Sequence, residues 1–198
     1  YLQLLSRKFP NAQSVVTELI NLRAILSLPK GTEHFVSDLH GEANAFIHMI
    51  KNASGVIRKK VDEAFGDLLP EEEKRALCAL IYYPDERIDL VKRKYNGEEI
   101  HSLNEGFEYT TIQDWYKRRL HQVVAIARAV TIKYSRSKVY KLLPKDYAYV
   151  IKELLHESSL EQKDRQAYYN AIIEAIIETG CAEQLLISIT YFIHSMAI

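Results

Sequence analysis

Cysteine, proline and net charge are all scarce in this chain, and each shortage excludes a class of protein. The 198 residues contain two cysteines, five prolines, and 26 basic against 26 acidic side chains. A net charge of zero gives no overall attraction to nucleic acid or to an anionic membrane surface. Few prolines and a hydrophobic content of 47% argue against a disordered chain, because this composition can bury a core.

Long apolar runs and cysteine pairs are also missing. No uninterrupted apolar run reaches the roughly 18 residues that a membrane-spanning helix needs, so the sequence predicts no such helix. No charged-then-apolar signal segment opens the chain, which begins at Tyr1. Cys78 and Cys181 lack the close spacing of metal ligands, and each lies in an apolar helical stretch, which favours free buried thiols. We therefore expect a reducing, cytoplasmic environment.

The clearest chemical signal is the run Ser37-Asp38-Leu39-His40-Gly41-Glu42. We predict a strand over about 33–39 that leads into this run. Because Asp38 and His40 are two residues apart, an extended backbone would point both side chains to the same side, where they can reach one metal ion. A carboxylate oxygen with an imidazole nitrogen suits manganese, iron or zinc better than calcium. Gly41 then allows a sharp turn into a helix.

Two other interpretations of this run stay open. Asp38 could be a buried capping residue and His40 a packed side chain, since Asp-x-His also occurs by chance. Glu42 is a candidate for orienting a metal ligand from behind, but a glutamate in the first turn of a helix needs no such role.

The rest of the chain is predicted to be helical, with about eight helices. Apolar residues recur at helical spacing, and proline, glycine and capping residues mark the ends. In the first half of the chain, helices are expected from Pro10 to about Ser27, after Gly41 to about Asn52, from Pro70 to Pro84, and from a cap at Asp85. In the second half, they are expected from Thr111 to beyond Ala127, from Pro144 to about Glu157, through Tyr169 to Gly180, and from Leu185 onward. The apolar residues of the helix that begins at Thr111 are expected to face inward. The segment 96–109 is the best candidate for a mobile loop.

A single strand among helices cannot pair its own backbone groups. Its partners must lie in residues that are absent here or in another chain. The pattern therefore predicts that this chain is a fragment of a larger α/β protein.

A basic cluster follows the long helix that begins at Thr111. Lys133, Arg136 and Lys138 are candidates for binding a sugar phosphate or a nucleotide effector. The alternative is the solvated end of that helix, where positive charge favours the C-terminal dipole. The run Lys117-Arg118-Arg119 is predicted to be an exposed helix face, and the histidines other than His40 show no metal-ligand spacing.

The Asp-x-His-Gly run resembles the first metal motif of the calcineurin-like metallophosphatases, although their second and third motifs are not found in this chain. The chain also resembles, along nearly its whole length, the N-terminal part of the bacterial class III fructose-1,6-bisphosphatases. The matching stretches, besides 35–42, are Ser54-Gly55-Val56-Ile57, Ile81-Tyr82-Tyr83-Pro84, Lys133-Tyr134-Ser135-Arg136-Ser137-Lys138-Val139, Leu142-Leu143-Pro144-Lys145-Asp146-Tyr147-Ala148-Tyr149 and Tyr168-Tyr169-Asn170.

The resemblance implies a fold and its division. Residues 1–55 would begin an α/β metallophosphatase sandwich with its first strand, 56–184 would be a large helical insertion, and 185–198 would lead back to the rest of the phosphatase domain.

The resemblance also implies an activity. The complete protein would hydrolyse the 1-phosphate of fructose 1,6-bisphosphate in gluconeogenesis, using two Mn²⁺ ions to activate water. Asp38 and His40 would hold the first ion, and the fragment alone would be inactive. The expected partners are this substrate and the remainder of the polypeptide or another chain, without nucleic acid or membrane, and homo-oligomers are left open. A phosphatase acting on phosphoproteins or dinucleotides, or a non-enzymatic helical interaction module, are the alternatives.

Overall fold

The structure is a computed structural model that describes residues 2–27, 35, 37–38, 40–52, 55–101, 103–156 and 163–197. Those residues form eleven α-helices and two single 3-10 turns, and no strand lies among them. The helices are α1 Leu2–Lys8, α2 Ala12–Leu26, α3 Ala43–Asn52, α4 Val56–Phe65, α5 Glu71–Tyr82, α6 Pro84–Tyr95, α7 Ile112–Thr131, α8 Arg136–Leu142, α9 Ala148–Leu155, α10 Lys163–Glu178 and α11 Ala182–Ala197.

The predominantly helical prediction is confirmed, but the expected number of about eight helices was too low. Helices α1, α4 and α8, which span 7, 10 and 7 residues, were not predicted. The predicted strand lies mostly outside the described residues. Phe35, Ser37 and Asp38 are described and have no regular secondary structure, so the α/β sandwich stays a prediction.

Helix α7 is the centre of the helical body. It packs against α4, α5, α6, α9, α10 and α11, most extensively against α11. Trp115, Leu120 and Ile126 are fully buried on it. The helix begins where the sequence predicted, because Thr111 and Asp114 cap each other: the Thr111 hydroxyl accepts from the Asp114 N–H at 3.1 Å, and the Asp114 carboxylate accepts from the Thr111 N–H at 3.2 Å.

A proline lies at the junction between helices α5 and α6. Helix α5 ends at Tyr82, and Pro84 is the first residue of α6, where its missing N–H costs nothing. Asp85 is therefore inside the first turn and is not the cap that the sequence predicted. Its carboxylate accepts a hydrogen bond from the Tyr191 hydroxyl of α11 at 2.7 Å.

The first three helices carry apolar side chains that stay exposed. One face of α2 carries the apolar residues Val15, Leu19 and Leu22, which are 41%, 50% and 46% exposed. On α3, Ile47 and Ile50 are also exposed. Across the described part of the chain, no helix has both the length and the hydrophobicity to cross a membrane.

Both cysteines are free thiols. Cys78 is buried on α5, and burial raises the pKa of its thiol to about 11. Cys181, just before α11, is partly exposed. The sequence expectation of buried thiols is therefore confirmed for Cys78 only.

Candidate metal-binding turn and basic cavity

Asp38 and His40 face each other across one residue of a tight turn. The His40 Nε2 atom lies 2.6 Å from Asp38 Oδ2, and the His40 N–H donates to Asp38 Oδ1 at 3.4 Å. His40 has a φ of +45° and Gly41 a φ of +75°, so two consecutive left-handed residues fold the chain back. The predicted juxtaposition is thus present, but a turn produces it at His40 in place of an extended backbone.

The positive φ of His40 is itself informative. A residue other than glycine in this region is uncommon and costs free energy. Here the conformation directs the imidazole toward the Asp38 carboxylate, and the pair is 81% and 62% exposed. Both side chains are therefore exposed in the described part of the chain, and their roles as metal ligands, or as a cap and a packed residue, stay predictions.

The donor set fits a first-row transition metal, with one carboxylate oxygen and one imidazole nitrogen available. Within the described ranges, no group of three or more His, Cys, Asp or Glu side chains is placed to hold a metal ion. The turn therefore offers two donors, and any further ligands would come from elsewhere. Whether they bind metal stays a prediction.

Glu42 follows the turn and precedes α3. Its carbonyl accepts the Phe46 N–H at 3.0 Å, and its side chain is exposed. No hydrogen bond joins the Glu42 carboxylate to Asp38 or His40 in the described part of the chain, so a role in orienting a ligand stays a prediction.

Helix α3 attaches the turn to the helical body through Tyr83, at the junction of α5 and α6. The His48 ring stacks on Tyr83 with centroids 6.0 Å apart, and its Nδ1 hydrogen-bonds the Tyr83 hydroxyl. The Lys51 Nζ atom lies 4.7 Å from the centre of the same ring. Tyr83 belongs to one of the stretches that carry the family resemblance, and this contact gives that stretch a structural role.

The basic cluster is not the end of the long helix. Helix α7 ends at Thr131, and Ser135 caps the separate helix α8 by accepting from the Lys138 N–H at 3.3 Å. Arg136 and Lys138 therefore lie in the first turn of α8, where positive charge is not stabilised by the helix dipole. The dipole explanation offered by the sequence is wrong for these two residues.

Arg136 borders a cavity of about 220 Å³ between the end of α7, α8 and α9. Two tyrosines, three Lys or Arg side chains and one histidine line it, and of these Arg128, Lys152 and His156 lie outside the cluster predicted from sequence. The lining residues are Arg128, Thr131, Ile132, Tyr134, Arg136, Val139, Tyr140, Lys152, Leu155 and His156. Lys133 and Lys138 lie outside this lining, with their Nζ atoms 5.0 and 4.0 Å from the centre of the Tyr134 ring.

A buried ionic network lies at the N-terminal half of α7, away from the cavity at its C-terminal end. Arg119 is fully buried, and its Nη2 atom is 2.5 Å from the Glu105 carboxylate. Arg118 donates to both oxygens of Glu73, at 2.6 and 2.9 Å. The predicted exposed face 117–119 was therefore wrong at Arg119. A usable signal was its position in the apolar period of α7, four residues after Trp115.

Opposing effects set the charge of Glu105. Burial alone would raise the pKa of this carboxyl, but the guanidinium groups of Arg119 and Arg87, with a hydrogen bond from Trp115, outweigh burial and hold the pKa below its usual value. The Arg87 Nη2 atom is 2.5 Å from Glu105 Oε1. The carboxylate therefore stays ionised and holds its loop against α6 and α7.

Comparisons with known proteins agree with the sequence resemblance. Residues 1–198 match the family model described as Firmicute fructose-1,6-bisphosphatase. Proteins named "Fructose-1,6-bisphosphatase class 3" from Porphyromonas gingivalis, Parabacteroides distasonis and Clostridium botulinum are 48%, 48% and 46% identical over all of this chain. The chain spans 28%, 28% and 27% of their lengths, respectively. No solved structure matches it.

Proposed function

This chain belongs to the Firmicute, or class 3, fructose-1,6-bisphosphatase family, and we propose that the complete protein hydrolyses the 1-phosphate of fructose 1,6-bisphosphate. In this proposal Asp38 and His40 hold one Mn²⁺ ion of a two-metal site. The observation that supports it is the exposed Asp38–His40 pair, with a carboxylate oxygen and an imidazole nitrogen 2.6 Å apart.

Each side chain has a defined task in this proposal. Asp38 supplies a charged oxygen donor and His40 a neutral nitrogen donor, while the left-handed backbone at His40 and Gly41 fixes their relative positions. A bound pair of such ions would polarise the phosphoryl group and activate a water molecule. Glu42 is proposed to orient one of these two ligands by forming a hydrogen bond to it in the complete site.

The remaining ligands and the binding site for the sugar are proposed to come from other parts of the polypeptide. Since the relatives are more than three times as long as this chain, the exposed apolar faces of α2 and α3 are proposed to pack against those parts. The family names favour fructose 1,6-bisphosphate over phosphoproteins or dinucleotides as the substrate. A cytoplasmic, gluconeogenic role is part of the same proposal.

Substitutions in the complete protein test the metal ligands. Asp38→Asn and His40→Ala should each lower kcat for fructose 1,6-bisphosphate by orders of magnitude, because a missing ligand misplaces the metal. Manganese affinity, measured by electron paramagnetic resonance, should fall in the same variants while the far-ultraviolet circular dichroism spectrum is unchanged.

The pair Glu99 and His101 gives a matched control. It has the same two-residue spacing, and its side chains are exposed with a separation of 4.0 Å. Glu99→Gln and His101→Ala should leave activity and manganese affinity unchanged. Near-normal activity of either Asp38→Asn or His40→Ala at saturating Mn²⁺ would show that the turn does not hold the metal.

A further inference from the structure

The cavity between α7, α8 and α9 concentrates positive charge that the described structure does not neutralise. The segment 128–156 holds seven Lys or Arg against two Asp or Glu, in a chain whose total charge is zero. Three of the seven, Arg128, Arg136 and Lys152, line the cavity. Neither of those acids, Asp146 and Glu153, borders the cavity, and no carboxylate of the described residues does.

Two of the cations, Arg128 and Lys152, are held in place by neighbouring groups, and none of the three has an anionic partner among the described residues. Arg128 donates twice to the Leu154 carbonyl, at 2.8 and 2.6 Å, which fixes its guanidinium at the cavity wall. The Lys152 Nζ atom lies 4.9 Å from the centre of the Tyr140 ring. Within the described residues, Arg136 has no hydrogen bond or ion pair. Arg128 and Lys152 are partly buried and Arg136 is exposed at the edge of the cavity. A bound anion would supply the counter-charge that the lining lacks.

The shape and chemistry of the walls limit what can bind. A cavity of about 220 Å³ is smaller than most sites for drug-sized ligands, which are roughly 300–1,000 Å³. Arginine binds phosphate oxygens through two parallel N–H groups, and lysine acts as a point charge. The tyrosine rings of Tyr134 and Tyr140 offer flat apolar surface beside these donors.

We propose that this cavity binds the phosphate group of a small phosphate monoester, through Arg136 and Lys152, with Arg128 and His156 at its walls. The site does not depend on Asp38 or His40. It differs from the cluster predicted by sequence, because Lys133 and Lys138 lie against the Tyr134 ring, do not line the cavity and are not required for binding.

Equilibrium binding of inorganic phosphate, fructose 6-phosphate and fructose to the 198-residue chain tests the proposal, with isothermal titration calorimetry as the measurement. Both phosphorylated ligands should bind and fructose should not. Tighter binding of fructose 6-phosphate than of inorganic phosphate would assign the site to a sugar phosphate, and equal affinity would assign it to the phosphate group alone. No binding of either phosphate compound would overturn the proposal.

Variants separate this site from general positive charge. Arg136→Gln and Lys152→Gln should each weaken phosphate binding by about tenfold or more, as expected when a hydrogen bond to a charged group is lost. Lys141→Gln removes one charge from the same helix α8, but Lys141 does not line the cavity. The phosphate affinity of this variant should therefore stay within about twofold of that of the parent. Equal weakening of phosphate binding in all three variants would show that phosphate is attracted by the overall positive charge of this region, and would overturn the proposed site. Melting temperatures confirm that the variants are folded.

Discussion

Gly106 shows how one residue fixes the loop that closes the buried ionic network. Its φ is +69°, and a Cβ atom added there would lie 2.5 Å from the backbone nitrogen of Glu73. The Asn104 side chain accepts from the Gly106 N–H at 2.8 Å, and the Asn104 carbonyl accepts from Arg87 at 2.8 Å. These contacts hold part of the segment 96–109, for which the sequence predicts a mobile loop.

Gly106→Ala should therefore be strongly destabilising. A left-handed backbone costs a residue with a Cβ about 1–2 kcal/mol, and overpacking adds about 1–3 kcal/mol. The free energy of unfolding should fall by roughly 2–5 kcal/mol, measured by urea denaturation followed by circular dichroism.

Gly97→Ala is the matched control, since Gly97 has a φ of +93° but no atom within 4 Å of an added Cβ. It should lose only about 1–2 kcal/mol, the backbone cost alone. Equal losses in the two variants would show that the contact between Gly106 and Glu73 does not limit packing.

The burial of Arg119 illustrates what local sequence could not supply. Its position in the apolar period of α7 places Arg119 on the inward face. A buried cation also needs partners, and these are Glu105, 14 residues away, and Gln122. Gln122 accepts from Arg119 at 2.7 Å and donates to Glu73 at 2.7 Å. Periodicity reports one helix at a time, whereas this network joins two helices and a loop. The Asp38–His40 pair, by contrast, is local and could be predicted.

At the scale of helices, two histidines connect neighbouring elements. His121 of α7 lies with its Nδ1 atom 3.2 Å from the Tyr169 hydroxyl of α10. The Nε2 atom of His194 on α11 donates to the Ile81 carbonyl of α5 at 2.6 Å. Burial lowers the pKa of both imidazoles, and the charge of Lys117 adds to the effect at His121.

Stability should therefore fall in mild acid. Above the unfolded-state pKa of 6.5, both imidazoles are neutral in the folded and unfolded chains and add no pH dependence. As the pH falls below 6.5, the unfolded chain binds protons more readily, so the free energy of unfolding decreases until the lower folded-state pKa is passed. The melting temperature should drop between about pH 6.5 and pH 5.

Substitution assigns this slope to the two histidines. The double variant His121→Gln/His194→Gln should show a flatter melting temperature over the same pH range. His101→Gln, at a side chain that is 93% exposed, should keep the slope of the parent. An unchanged slope in the double variant would contradict the prediction, because the carboxyl of Glu105, whose pKa is lowered from 4.5, contributes only at lower pH.

The limits of prediction from sequence also show at the scale of helices. Thr111 and Gly180 carry strong end signals, and the structure confirms both ends: the Cys181 N–H bonds back to the Ile176 carbonyl at 3.2 Å, and Gly180 has a φ of +71°. Helix α8 has seven residues, three of them charged, and a single buried side chain, Val139. Its packing against α11 is a tertiary contact that no local pattern contains.

At the scale of the whole molecule, the helical body is well packed while the N-terminal helices are not. Helices α4 to α11 share one buried core around α7. No residue of α1 or α2 is buried, although α2 has an apolar stripe. Tertiary packing normally supplies most of the stability of a helix, so this part of the chain should gain most from contacts with the remainder of the family polypeptide.

The 198-residue chain alone should bind Mn²⁺ weakly and show no turnover of fructose 1,6-bisphosphate. The described residues offer two donors at the turn, whereas catalytic metal sites commonly use three protein ligands, and the relatives have many further residues. Electron paramagnetic resonance should detect weak Mn²⁺ binding that Asp38→Asn reduces, and a phosphate-release assay should show no activity. A full-length relative serves as the positive control. Mn²⁺-dependent hydrolysis by the 198-residue chain, lost in Asp38→Asn, would show that the two donors with nearby groups already form a working site.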